Sequence, residues 1–156
     1  MIETKNIFFY ETDIGRIIIA DNGDAIVAVS FGDTNMASHG DLNETPLIEE
    51  AARQIYQYLK KERCSFALPL SPKGTIFQQK VWAALQTIPY GETRSYKQVA
   101  EAIGQPKAFR AVGMACNKNP IAIIIPCHRV IGSNGSLTGY AGGVELKARL
   151  LQLERS

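Results

Sequence analysis

Residues 95–116 read SYKQVAEAIGQPKAFRAVGMAC, and this stretch decides the fold of the second half of the chain. Ser95, followed three residues later by Gln98, forms a capping box, the side-chain exchange that opens a helix. The spacing predicts a helix from Tyr96 to about Ile103, stopped by Gly104. Pro106 then stands at the start of the next predicted helix, which runs to about Cys116, because proline is tolerated in a first helical turn. Two short helices joined by Gly104-Gln105-Pro106 have the proportions of a helix-turn-helix.

Upstream, Thr75 and Gln78 form a second capping box, and Phe77, Val81, Trp82, Leu85 and Ile88 line one helical face that Pro89 and Gly91 end. Trp82 belongs to the core. Ser71-Pro72-Lys73-Gly74 is the best domain boundary, which predicts domains 1–73 and 74–156. Before it, Asn6–Tyr10, Arg16–Ala20 and Ala25–Phe31 are apolar or β-branched runs separated by turn residues, an antiparallel meander. Residues 32–44 read as a polar loop, Pro46–Lys61 as an amphipathic helix, and Phe66–Leu70 as a returning strand. Downstream, Ile121–Ile125 reads as a short buried extended segment, and Gly142-Gly143 precedes a last helix, Val144–Glu154. The fold class is α/β (α+β): a small N-terminal antiparallel sheet with a helix, then an α-rich helix-turn-helix, winged-helix-like domain.

The chemistry concentrates at Pro126-Cys127-His128-Arg129-Val130. A cysteine attacks as its thiolate and needs a cationic or proton-accepting neighbourhood, which His128 and Arg129 supply. Buried cysteines that only pack are common, so the pair alone is a moderate signal. Glu154 falls between Leu150 and Leu151 on the last helix, and a carboxylate in an apolar arc needs a partner. Lys147 on the same side favours the competing picture of a helix end in water. Arg110 lies among Ala108, Ala111, Gly113 and Ala115, small residues that suit either close approach to a groove or plain helix packing.

In order along the chain stand Phe77-Gln78, Val81-Trp82, Ile88-Pro89-Tyr90-Gly91, Thr93-Arg94-Ser95-Tyr96, Arg110-Ala111-Val112-Gly113, Asn119-Pro120, the Cys127 motif and Gly139-Tyr140. This series resembles the O6-alkylguanine-DNA alkyltransferases, also called methylated-DNA–protein-cysteine methyltransferases, over residues 74–156. The first half resembles the family only loosely, and there the resemblance implies an RNase H-like domain.

The resemblance implies irreversible, single-turnover transfer of the O6-alkyl group of guanine, and of the O4-alkyl group of thymine, from duplex DNA to Cys127. His128 is implied as the base, acting through a water, with Glu154 orienting it. Tyr96 contacts the flipped nucleotide and donates to the purine. Asn119 makes the turn that leads to the Cys127 segment. Arg110 fills the gap left by the extruded base while its helix, with Ala111 and Gly113, lies in the minor groove. Tyr140 and Val130 belong to the base pocket, which the neighbouring glycines allow to close on a flat ligand. Arg129 is expected as a salt bridge holding the two halves together.

Composition sets outer limits. The 156 residues are 46% hydrophobic and 21% charged, as in ordinary globular chains. The net charge of +2 divides unevenly: 7 Lys/Arg against 11 Asp/Glu in residues 1–73, and 10 against 4 in residues 74–156, so the motif-bearing half is the one suited to a polyanion. No apolar run approaches membrane-spanning length, and the start lacks a signal-peptide pattern, so an intracellular protein is expected, nuclear if the source is eukaryotic. Cys64, Cys116 and Cys127 show no paired spacing, which argues for free thiols. Some members of the family hold zinc in the first half; here only Cys64 and His39 are available, so no metal and no cofactor are expected. The partner expected is double-stranded DNA carrying O6-alkylguanine, met by a monomer without a membrane.

An alkyltransferase-like protein binds damage without repairing it, but it lacks the cysteine. A cysteine hydrolase or redox enzyme needs an oxyanion site or a resolving cysteine, and gives no reason for a helix-turn-helix.

Overall fold

The computed structural model describes residues 4–32 and 40–156 and divides into two compact units, Met1–Lys73 and Gly74–Ser156.

In the first unit the strands β1 (Asn6–Thr12), β2 (Gly15–Asp21) and β3 (Ile26–Phe31) form the antiparallel meander, with Thr12 opposite Gly15 across a tight turn. A short strand, β4 (Asp41–Leu42), adds to β1 in parallel, so the sheet order is β3-β2-β1-β4. The expected polar loop therefore contains a strand, while its residues 33–39, His39 included, lie outside the described residues. The helix α1 (Pro46–Leu59) starts at Thr45, whose hydroxyl oxygen accepts the Ile48 N–H. It buries Ile48, Ala51, Ala52, Ile55 and Tyr58, and packs against the wholly buried Ile17–Ala20 of β2.

Phe66–Leu70 does not return as a strand. Only Leu70 bridges the sheet, opposite Ile26. The backbone of Ala67 is bound instead by the buried side chain of Gln54, which accepts from Ala67 N at 2.9 Å and donates to its carbonyl at 3.2 Å. Pro69 has no N–H to give a ladder.

The second unit is built on three helices: α2 (Ile76–Leu85), α3 (Tyr96–Ala102) and α4 (Phe109–Asn117). Both predicted capping boxes are complete, Thr75 with Gln78 and Ser95 with Gln98. Val81, Trp82 and Leu85 pack with Val99, Ala100, Val112 and Ala115 in the core, and the Trp82 indole N–H donates to the Ala115 carbonyl at 2.9 Å. Gly74 is required by this packing, since a Cβ there would stand 2.5 Å from the Trp82 ring.

Two boundaries differ from the sequence reading. The helix α2 stops at Leu85 rather than Ile88, where the Thr87 hydroxyl takes the Ala84 carbonyl at 2.7 Å. The helix α4 starts at Phe109 because Pro106 sits inside a turn closed by Ala108 N–H on the Gln105 carbonyl. Arg110 is thus in the first turn of α4, not midway along a longer helix.

A short strand, β5 (Arg94–Ser95), leads into α3 and pairs in parallel with β6 (Val130–Ile131), just after the Cys127 motif. This ladder brings the start of α3, where Tyr96 stands, beside the motif. The last helix, α5 (Val144–Arg155), follows Gly143, whose φ of 96° is costly for residues with a side chain.

Candidate active site

The approach to Cys127 is a buried turn, not the extended segment expected. Ile121–Ile125 are buried, but Ile125 N–H folds back to the Ile121 carbonyl at 3.0 Å, and Ile123 lies at φ 71°. A β-branched residue in that region is strained, by about 1–3 kcal/mol, and persists only where its surroundings over-determine it. Asn119 does much of that holding. Its carbonyl oxygen accepts from Ile121 N at 3.0 Å, and its amide donates to the Ile125 carbonyl at 2.8 Å and to Cys127 Sγ at 3.3 Å. One side chain therefore ties both ends of the turn and touches the thiol.

Cys127–Arg129 form a single 3-10 turn after Pro126. Cys127 is 6% exposed and His128 is wholly buried. His128 Nε2 lies 2.7 Å from Glu154 Oε2. Arg129 donates to both oxygens of the same carboxylate, from Nε at 2.9 Å and from Nη2 at 3.1 Å, and its Nη1 donates to the Ile88 carbonyl at 2.7 Å. Gly91 N–H donates to Glu154 Oε1 at 3.1 Å. The carboxylate that α5 carries into the interior is thus met by an imidazole, a bidentate guanidinium and a backbone amide, as a buried charge requires. Arg129 does not serve as the tie between halves that was expected: its partners Glu154 and Ile88 belong to its own unit, and its guanidinium also stacks over the Tyr90 ring at 5.8 Å.

Burial dominates the electrostatics. It pushes the Cys127 thiol up, against the Asn119 amide and the Lys147 ammonium, which favour the thiolate. It pushes His128 below its ordinary value, against the pull of Glu154. The resting site therefore holds a protonated thiol beside a neutral imidazole. With Nε2–H given to Glu154, the lone pair of His128 is on Nδ1. Cys116 is likewise pushed up, to about 12, mainly by burial, and Cys64 is exposed.

Tyr96 anchors a second cluster. Its hydroxyl lies 2.7 Å from Thr138 Oγ1 and 3.4 Å from Lys147 Nζ, which also donates to the Thr138 carbonyl at 3.0 Å. A groove of about 340 Å³ opens here, lined by Tyr96, Thr138 and Gly139 and by Phe109, Arg110, Gly113, Met114 and Asn117 of α4. Gly113 lies over Tyr96, a Cβ on it falling 3.7 Å from the ring. Arg110 and Ala111 are exposed, with Arg110 on the groove side. Tyr140 is half-buried, edge-on to His128 with ring centroids 6.5 Å apart. Val130 is wholly buried.

The structure thus gathers Asn119, Cys127, His128 and Glu154 in one cluster, and sets Tyr96 and Arg110 along one groove. Lys147 was misread from the sequence. Rather than marking a wet helix end, it is wholly buried and held by Thr138 and Tyr96. Its signal was present, since Lys147 shares the buried arc of α5 with Leu150, Leu151 and Glu154. Among the described residues no group of three or more His, Cys, Asp or Glu is placed to hold a metal, and no helix is long and apolar enough to cross a membrane.

Two family models match the chain: the ribonuclease-like domain of 6-O-methylguanine DNA methyltransferase over residues 8–72, and the DNA binding domain of the same family over residues 76–156. The constitutive methylated-DNA–protein-cysteine methyltransferase of Bacillus subtilis is 49% identical over 152 residues, covering 93% of this chain and 92% of that one. The methylated-DNA–protein-cysteine methyltransferase of Methanosarcina barkeri is 50% identical over 149 residues, covering 94% of each. The crystal structure of Mycobacterium tuberculosis OGT in complex with DNA superposes with a TM-score of 0.90 at 44% identity, over 96% of this chain and 92% of that one.

Proposed function

The chain belongs to the 6-O-methylguanine DNA methyltransferase family, DNA-repair enzymes that move an alkyl group from damaged DNA onto a cysteine of their own, and we propose that Cys127 is that cysteine here. The observation that carries the assignment is a pair of contacts at adjacent residues, the Asn119 amide on Cys127 Sγ and the His128 ring on the Glu154 carboxylate.

The substrate is duplex DNA containing O6-alkylguanine, bound by a monomer inside the cell. O4-alkylthymine is a second substrate of the same chemistry. The damaged nucleotide leaves the stack to reach the thiol, at a cost of a few kcal/mol that is least for a weakened pair. His128 Nδ1 takes the Cys127 proton, directly or through a water, and Glu154 stabilises the imidazolium that results. Arg129 holds Glu154 in place from both oxygens. The thiolate attacks the alkyl carbon, the bond from carbon to O6 breaks with its electron pair going to the purine, and the guanine left behind takes up a proton. Asn119 donates to the sulfur while it is charged. Tyr96, backed by Lys147, donates to the purine as charge develops there. Tyr140 walls the base, with Val130 packed behind the pocket.

Arg110 enters the duplex from the first turn of α4 and occupies the space of the extruded base, with Ala111 and Gly113 letting the helix approach. The product is a thioether with no route back to the thiol, so each chain acts once. A damage-binding protein without transfer is disfavoured by Cys127 itself and by the names of the close relatives. Titrating the protein with excess duplex carrying a labelled O6-methylguanine tests the proposal. Transfer stops at one methyl per chain; continued turnover would indicate a hydrolase-like enzyme, and no transfer a binding protein.

A further inference from the structure

Among the described residues of the second unit, Ile76, Phe109, Met114 and Val144 are large apolar side chains left exposed, and two of them share one helix and one groove. Phe109 is 44% exposed and Met114 is 66% exposed, both on α4. Both line the same groove as Arg110 and Tyr96. The buried face of α4 is complete without them, being Val112, Ala115 and Cys116. Phe109 precedes Arg110 directly, and Met114 follows it by one helical turn, so a cation and two apolar side chains line one groove. The helix carries no acidic residue, and residues 74–156 have 10 Lys/Arg against 4 Asp/Glu, which suits this face to a polyanion.

We propose that Phe109, assisted by Met114, is an apolar wedge that packs into the minor groove of duplex DNA beside Arg110 and holds the base step next to the extruded nucleotide unstacked. The inference rests on the DNA-repair reading above. Arginine alone fills the gap with charge and hydrogen bonds; an aromatic ring covers the exposed face of a neighbouring base, which a guanidinium in the gap leaves partly open. Minor-groove proteins that kink DNA insert side chains of this apolar type. Phe109 is not among the buried residues of α4, so replacing it leaves the Val112, Ala115 and Cys116 face in place.

The test compares single-turnover rates on an O6-methylguanine duplex and on the free O6-methylguanine base, at saturating protein, for wild type, Phe109→Ala and Met114→Ala. Phe109→Ala lowers the ratio of duplex to free-base rate about tenfold, the scale of one lost base–aromatic contact. Met114→Ala lowers it less. In a Cys127→Ala background, 2-aminopurine placed next to the lesion brightens on binding, and Phe109→Ala removes that increase. An unchanged ratio, or equal slowing on both substrates, overturns the wedge. If wild type repairs the duplex and Phe109→Ala keeps the same ratio, only the wedge is lost. If wild type transfers nothing from duplex DNA, the repair reading falls and the wedge with it.

Discussion

His128 and Glu154 are separated by 26 residues of chain, and their side chains meet at 2.7 Å in the interior. The contact ties the turn that carries Cys127 to α5. It also fixes the imidazole so that one ring nitrogen faces the carboxylate and the other holds the lone pair. Arg129, next in sequence to His128, grips the same carboxylate from the other side. The site is therefore one electrostatic unit, and changes to any member are expected to be non-additive.

Glu154→Ala removes the partner of a buried guanidinium and of a buried imidazole together. Leaving a buried charge unpaired costs about 3–5 kcal/mol, so a large stability loss is expected in urea denaturation. Glu154→Gln keeps the shape and one acceptor oxygen, and is expected to fold better while still transferring slowly, because a neutral amide does not stabilise an imidazolium.

Asn119→Ala removes the donor to Cys127 Sγ and leaves Ile121 N–H and the Ile125 carbonyl without their side-chain partner. The loss of those bonds in a buried turn is expected to cost about 1–3 kcal/mol. Burial already pushes the thiol up, and the Asn119 bond opposes that push. The pH at which Cys127 becomes reactive toward iodoacetamide therefore moves upward in the variant. A profile that stays in place would assign Asn119 to the turn alone.

The depressed pKa of His128 predicts a direction for stability against pH. Between its folded value and the unfolded value of about 6.5, the unfolded chain binds more protons than the native one. Stability from this group is present above about pH 6.5 and is lost as pH falls through the folded pKa. Urea midpoints measured from pH 7.5 downward should fall, and His128→Phe should flatten that part of the curve.

Arg110→Ala and Lys147→Met separate two jobs. Arg110 is exposed on α4, the helix proposed to face DNA, so its loss should slow repair in duplex DNA far more than reaction with a free modified base. Lys147 contacts Tyr96 and Thr138 in the interior, so Lys147→Met should slow both substrates by similar factors. Single-turnover rates at saturating protein check both expectations.

The local signals were legible and the tertiary ones less so. Thr75 with Gln78, and Ser95 with Gln98, mark their helices by side chains that act within one turn, and both boxes are present. Glu154 was legible because a carboxylate between leucines on a helical arc demands a partner. Pro106 was misplaced because its fixed φ suits the first turn of a helix and the second position of a turn alike. Ile121–Ile125 carry no mark of their turn; it is set by the Asn119 side chain reaching Ile125, and an apolar run alone does not distinguish that from a strand. Lys147 was read as solvated by default, and its burial depends on a carbonyl at Thr138, nine positions away. The two-residue strand Asp41–Leu42 is too short to show an alternation.

The most direct test of the account is intact mass and peptide mapping after the protein is mixed with an O6-methylguanine duplex. The account predicts one methyl per chain, carried on the peptide containing Cys127, and no gain in Cys127→Ala under conditions where that variant still binds the duplex. A methyl on Cys64 or Cys116, a second methyl on the same chain, or transfer that survives in Cys127→Ala would contradict it.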